Sequence, residues 1–550
     1  MKDEHKFETR LLSSLSKVFP DENLTDSPFA NGSILRNETF SFQLAFRSEK
    51  LLKQVKVHIT VDSSLKAAVR SVGVVPSELP VYPDHDEHII RSTPGLYPDP
   101  LYPITEEGLT AFPGQWRSVW ITIDSKGQPG HYPIGIKLES ETGLTLGEEQ
   151  FELEVLARSL PDQTLIHTEW FHVDCLASHY KEEIFSERHW ELIRSYVQTA
   201  VNNGMNMLLT PLFTPPLDTQ VGGERPTVQL VDVEVIESDT YAFAFDKLNR
   251  WVDMCNEEGV AYFEFSHLFT QWGAQHAPKV VALANGEMTP IFGWQTEASS
   301  DEYRSFLQQF LPALREWIKI KGIGDRSYFH ISDEPSLDQL ESYRKASEMV
   351  GSLLSDFPII DALSNYDFYV NGLVKTPIAA TDHLDKFLEH EVNPLWAYYC
   401  CAQYKEVANR FFSMPSARNR ILGIQLYKYQ ITGFLHWGYN FWYSQYARKE
   451  IDPYRTTDAE AAFPSGDAFI VYPGEHGPIE SIRLKVMQEA LQDLRALQLL
   501  ESLIGRERVI NGLEEGLDDP ITFKCYPREA DWLLTKRAWI NQTIHSYSSS

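Results

Sequence analysis

Two carboxylates stand side by side at Asp333 and Glu334, in the run His330-Ile331-Ser332-Asp333-Glu334-Pro335. Carboxyl groups that share one cleft resist ionising together, so one of the pair keeps its proton near neutral pH. A proton held beside a negative charge is what acid-assisted cleavage of a glycosidic bond needs. The flanking residues say where the pair sits. The run SYFHIS before it is β-like, and Pro335 stops that run and biases Glu334 toward extended backbone. Ser336 then reads as an N-cap with Gln339 at the third helical position, opening a helix. The spacing predicts a carboxylate pair at the C-terminal end of a strand.

The surrounding elements follow the same logic. From Leu160-Pro161 onward, short apolar runs alternate with amphipathic helical stretches. Runs starting at Leu165, Met205, Ala261, Ser327, Pro358, Thr376, Pro394 and Gly433 predict eight strands. Stretches such as ERHWELIRSYVQTAVNN and DEYRSFLQQFLPALREWIKIKG predict the helices between them. Eight such steps over about 280 residues match a (β/α)8 barrel. A doubly wound sheet would carry a Gly-rich phosphate turn after its first strand, and none is present.

A barrel of this kind works at the C-terminal ends of its strands. There the first strand brings Glu169 and Trp170, and the third brings His267 with Trp272 beyond it. The fifth ends at Asn365-Tyr366, the seventh carries Trp396 and Tyr398, and the eighth leads into Trp437, Tyr439 and Trp442. These eleven are the candidate substrate-binding residues, because aromatic faces stack on sugar rings. Strand alternation sends about half of such a set outward, into the helix layer. His330 is expected inside the barrel.

Residues 1–160 read differently. Runs such as ETFSFQLAF, QVKVHITVD, WRSVWITIDS and FELEVLA alternate with period two between turn residues, which predicts an antiparallel β-sandwich. The Pro-rich stretch YPDPLYPITEEG is expected to be a long loop leaning on the next domain. The barrel spans 161–445, and 446–550 forms an extension with a strand at GDAFIVYPG and a long helix from PIESIRLKVM.

Composition narrows the function. The 550 residues carry 49 Lys and Arg against 77 Asp and Glu, a formal charge of −28, so a basic footprint for nucleic acid or an anionic membrane is missing. A neutral carbohydrate fits this balance. The opening MKDEHKFETRLL has no apolar leader, and no run approaches the roughly 18 apolar residues of a membrane helix. The five cysteines lack framework spacing, which points to reduced thiols and a cytoplasmic protein. Cys400-Cys401 fall in LWAYYCCA and are expected in a buried strand. His167, His172, His267 and His436 show no HExxH or HxH spacing, so no metal and no cofactor are expected. A homo-oligomer is compatible with the chain.

The sequence resembles glycoside hydrolase family 123 and the related domain-of-unknown-function 4091 proteins. The likeness is carried by FHISDEP around Asp333-Glu334 and by GMNMLLTPLFTPPLDT from Gly204, with support from GFLHWGYNFW and the tail GDAFIVYPG–PIESIRLKVM. The resemblance implies a β-N-acetylgalactosaminidase-like, substrate-assisted reaction. Glu334 would protonate the leaving oxygen, and Asp333 would orient the 2-acetamido group whose carbonyl oxygen attacks the anomeric carbon. The last helix departs from the pattern: Ala490 and Asp493-Leu494-Arg495 stand where many members carry Gly and Asp-Tyr-Glu.

Two other readings stay open at this point. One is a double-displacement glycosidase with Glu334 as acid and Glu264 or Glu169 as nucleophile, acting on sugars without a 2-acetamido group. The other is a sugar-binding barrel without turnover.

Overall fold

The computed structural model describes residues 6–125 and 128–547. Residues 1–5, part of the stretch read as lacking a leader, lie outside it. The amino-terminal region is β-rich, and Phe7–Ser159 carries ten strands in two five-stranded sheets. Phe42, Leu44, Val119 and Ile121 of one sheet join Ile134, Ile136, Phe151 and Leu153 of the other in a single apolar cluster. The period-two pattern creates this cluster, since every second side chain of each strand faces it.

The Pro-rich stretch is a loop only from residue 104 to 108. Gly95–Pro103 is a strand that pairs antiparallel with Lys66–Ser77 at the edge of its sheet. An edge strand tolerates proline, because its missing N–H can face away from the ladder. The expected lean toward the neighbouring region is present. Leu101 N–H donates to Glu480 O at 2.8 Å, and Arg483 holds Asp99 through two bonds of 2.9 Å.

The next eight parallel strands are Ile166–Glu169, Met207–Thr210, Tyr262–Phe265, Ser327–Phe329, Ile360–Leu363, Thr376–Ala380, Trp396–Tyr398 and Gly433–His436. They lie in the order 4-3-2-1-8-7-6-5, and a bridge between Phe329 and Ile359 brings the fourth to the fifth. The barrel is thereby nearly closed. Alternation sorts its residues: Met207, Leu209, Ile378, Ala380 and Trp396 fill the interior, while Leu208, Ala379 and Ala397 meet the outer helices. The helices include Glu187–Asn202, Asp246–Glu258 and Asp301–Lys321, as the apolar spacing predicts.

Two hairpins, Asp232–Ala244 and Val280–Phe292, extend the loops after strands two and three and join in a four-stranded sheet that the sequence reading did not anticipate. After strand eight come the hairpin Tyr472–Ile479 and the 23-residue helix Ile482–Ile504. Buried charges seam this extension, and the segment between strands seven and eight, to the amino-terminal region. Arg537 grips Glu38 through two bonds of 2.7 Å, and Arg418 holds Asp86. Lys17, pulled down to about 7 by burial, donates to the carbonyls of Phe412 and Met414 at 3.0 and 2.6 Å. No helix among the described residues is long and apolar enough to cross a membrane.

Candidate active site

Strand four ends at Phe329, and Asp333 and Glu334 follow on the turn beyond it, at the C-terminal face of the barrel. In a continuing strand, two adjacent side chains would point to opposite faces. Glu334 breaks the alternation. Its φ is +42°, on the left-handed side and not extended as Pro335 suggested. Neighbours hold it there: Glu334 N–H donates to Ala362 O of strand five at 3.0 Å, and Trp272 N–H donates to Asp333 O at 2.8 Å. Beyond the turn, Gln339 Oε1 accepts the Ser336 N–H at 2.9 Å, and the helix Leu340–Gly351 begins as the capping reading expects.

Both carboxylates line a cavity of about 200 Å³. Trp170, Trp272, Tyr398 and Trp437, expected there from the sequence, line it with them. Tyr398 donates its hydroxyl to Glu334 Oε1 at 2.7 Å, and Trp437 donates Nε1–H to Asp467 Oδ2 at 3.0 Å. Burial, and then the Glu334 charge, push Asp333 well above the ordinary carboxylate range. Burial also lifts Glu334, against the pull of the Tyr398 hydroxyl. Together they favour one shared proton at neutral pH.

The profile of the glycoside hydrolase 123 catalytic domain matches residues 170–500, from the tip of strand one through most of the long helix. The chain belongs to glycoside hydrolase family 123. Family 123 membership makes it a glycosidase and makes carbohydrate its substrate class. A family 123 glycoside hydrolase from Clostridium perfringens, described for glycolipid glycan hydrolysis, shares the fold with a TM-score of 0.75 and 15% identity over 99% of each chain. An FMN-binding β-glucuronidase from Facaelibacterium prausnitzii (TM-score 0.31, 10% identity, 83% of this chain and 59% of that one) is too distant to carry an argument. The same holds for a family 5 mannosidase from Rhizomucor miehei (TM-score 0.34, 12% identity, 60% and 94%). No curated protein matches the chain.

Seven of the eleven candidate binding residues lie outside the cavity lining of this family 123 chain. Glu169 alternates to the outer side of strand one, where Arg410 donates to it at 2.8 Å and holds it ionised against burial. His267 is buried and stacks on His330, with ring centroids 4.2 Å apart. Asn365 accepts the Asp367 N–H at 2.8 Å, and Tyr366 stacks on His390. Trp396 fills the barrel interior opposite Gly433, whose missing side chain makes room: a Cβ there would sit 2.0 Å from the indole. Tyr439 donates to Tyr196 O and Trp442 to Val471 O, both in the outer layer. Of these, Glu169, Tyr439 and Trp442 point into the outer layer, whereas Trp396 lies deep within the barrel and His267 is packed on His330.

Beneath the cavity lies a closed polar set. Glu264 accepts from Thr168 Oγ1 at 2.5 Å, Trp170 Nε1 at 2.8 Å and His330 Nε2 at 2.6 Å. His330 Nδ1 meets Asp361 Oδ1 at 3.0 Å, and Tyr343 donates its hydroxyl to Asp361. Burial alone would lower His330, but hydrogen bonds to Asp361 and Glu264 outweigh it and lift the imidazole to about 9. A buried cation thus lies near Asp333 and draws its proton off in part. His267, His330 and Asp361 have ligand atoms within 4.8 Å of one another, as a metal would require. Both His330 nitrogens are already committed to carboxylates, so this set does not suit an ion.

Sequence reasoning missed the rest of the lining. Asp218 comes from the loop after strand two, with Gln271 Oε1 accepting its N–H at 2.6 Å and its own Oδ2 accepting the Tyr446 N–H at 2.9 Å. Burial raises it to about 6. Tyr446 and Phe463 come from the segment assigned to the extension. Cys400 and Cys401, expected in a buried strand, stand half-buried beyond the end of strand seven and also line the cavity.

Proposed function

We propose that the chain is a retaining glycoside hydrolase that removes a β-linked 2-acetamido sugar, N-acetylgalactosamine, by substrate-assisted catalysis. The cavity takes one sugar ring, with Trp170, Trp272, Trp437 and Tyr398 as its walls. Glu334 protonates the leaving oxygen. The acetamido carbonyl oxygen then attacks the anomeric carbon, closing an oxazolinium ring. Asp333 accepts the acetamido N–H and stabilises the positive charge that develops on it. Glu334, now deprotonated, takes a proton from the water that reopens the ring.

The observation carrying this reading is the fate of the other strand-end glutamates. Glu264 is enclosed by three donors, and Glu169 is paired with Arg410; neither lines the cavity. Neither is placed to act as the nucleophile of a double displacement, which supports a reading in which the acetamido oxygen takes that role with the adjacent pair as its partners. In the free enzyme burial, and after it the Glu334 charge, keep Asp333 protonated. Once Glu334 carries the shared proton, that repulsion is gone and the His330 cation favours the Asp333 anion. We read the two amino-terminal sheets as a β-sandwich, with 1–160, 161–445 and 446–550 as the three parts of the chain.

Nitrophenyl glycosides with and without the 2-acetamido group test the proposal. Only the acetamido sugars should turn over, and a thiazoline analogue should inhibit strongly. A covalent adduct on Glu264 or Glu169, trapped with a 2-fluoro sugar, would end it. Glu334→Gln should cost about 10²–10⁴-fold, with less loss on good leaving groups.

A further inference from the structure

Cys400 and Cys401 have no part in the roles above, yet both line the cavity beside Glu334. Strand seven has ended at Tyr398, so the pleat no longer forces consecutive side chains apart, and both residues border one space. The segment is braced from behind. Cys400 N–H and Sγ donate to Gln403 Oε1 at 2.9 and 3.3 Å. Gln403 Nε2 donates to Asp382 Oδ1 at 3.0 Å, and Asn409 Nδ2 to Cys400 O at 2.9 Å. Neither thiol is in a disulfide.

We propose that Cys400 and Cys401 form a chelating dithiol site for trivalent arsenic, and that its occupation closes the sugar cavity. Soft sulfur donors select soft acceptors, and two thiols on one wall supply a pair of them. The step balances without redox change. Arsenous acid, As(OH)₃, loses two hydroxyls as two As–O bonds break and two As–S bonds form. Each thiol proton leaves with one hydroxyl as water, and arsenic stays trivalent. The site also discriminates. The hydrogen bond with Cys401, burial and the Glu334 charge hold the Cys400 thiol well above its ordinary value. Alkylating agents and oxidants need the thiolate and react slowly there. Arsenous acid brings its own base, the departing hydroxyl. Bound arsenic would sit against Glu334, where the leaving oxygen of the sugar must come.

The consequence for catalysis rests on the proposed function; the binding itself does not. The test titrates the full chain with sodium arsenite, following bound arsenic by native mass spectrometry and hydrolysis of a nitrophenyl 2-acetamido glycoside in parallel. One arsenic per chain is expected, mapped to the Cys400–Cys401 peptide, with hydrolysis lost in step and restored by 2,3-dimercaptopropanol. Cys400→Ser and Cys401→Ser should each weaken binding by about 10²-fold, because the second As–S bond is intramolecular. Cys525→Ser, at an exposed thiol, should change nothing. Undiminished arsenic binding in either cavity variant overturns the site. Full occupancy at these thiols with hydrolysis intact overturns its effect on the cavity. If the wild type cleaves no 2-acetamido glycoside, the proposed function falls while the arsenic stoichiometry still decides the dithiol.

Discussion

Removing one oxygen, in Tyr398→Phe, isolates the contact that sets the proton affinity of Glu334. The Tyr398 hydroxyl donates to Glu334 Oε1 at 2.7 Å and opposes the upward push of burial. A hydrogen bond to a charged group contributes about 1.5–3 kcal/mol. Glu334 is only half-buried and borders the cavity, so the lower end, about 1.5 kcal/mol, is the appropriate figure. At 1.36 kcal/mol per pH unit, this moves the acid's titration upward by about one unit. The sign follows from the role. A general acid works protonated, so activity falls as pH rises through its titration, and losing the donor keeps the proton on longer. The alkaline limb of kcat against pH should therefore move to higher pH by about one unit in the variant. The assay is a pH series with a poor leaving group, where protonation limits the rate. An unmoved alkaline limb, or one moved to lower pH, would refute Glu334 as the acid held by Tyr398.

Asp333→Asn keeps the shape but removes the charge that meets the acetamido nitrogen, so kcat should fall by about 10²–10³-fold while sugar binding changes little. Equal losses in kcat and in inhibitor affinity would contradict that role. Asp218, raised to about 6, is ionised above that pH and holds the Tyr446 N–H as an anion. As pH falls through about 6 this hold weakens, so KM should rise on acidification in the wild type but stay level in Asp218→Asn. Arg410→Met leaves Glu169 buried without its partner and should cost about 3–5 kcal/mol of stability in urea unfolding; a loss under about 1 kcal/mol would mean the pair is dispensable.

The barrel was legible because its signal repeats: all eight predicted runs are strands, and their order is that of a nearly closed barrel. The carboxylate pair was legible from its place before Pro335. The binding residues were less so, for a geometric reason. Trp396 and Tyr398 both face the barrel interior, but one lies deep within it and the other reaches the rim, and no sequence pattern encodes that depth. Tyr439 and Trp442 lie past the end of strand eight, where the period-two rule has lapsed. Asp218 lay within GMNMLLTPLFTPPLDT, which the resemblance had marked, but an Asp after two prolines reads as a turn. The edge strand Gly95–Pro103 was hidden because proline signals a loop wherever edge position is unknown.

The charged seams between the front sheets and the rest of the chain bear on how such a protein can be inherited. Asp99 and Asp86 lie ahead of the family match at 170–500, while their partners Arg483 and Arg418 lie within it. A gene fragment spliced at residue 170 would strand two buried guanidinium groups, at about 3–5 kcal/mol each. That is comparable with the whole stability of a typical domain, about 5–15 kcal/mol. The recognisable stretch is therefore not a transplantable cassette. Recombination can exchange the hairpins on the open face of the barrel, but front sheets and barrel must descend together, and a change at Asp99 must be answered at Arg483.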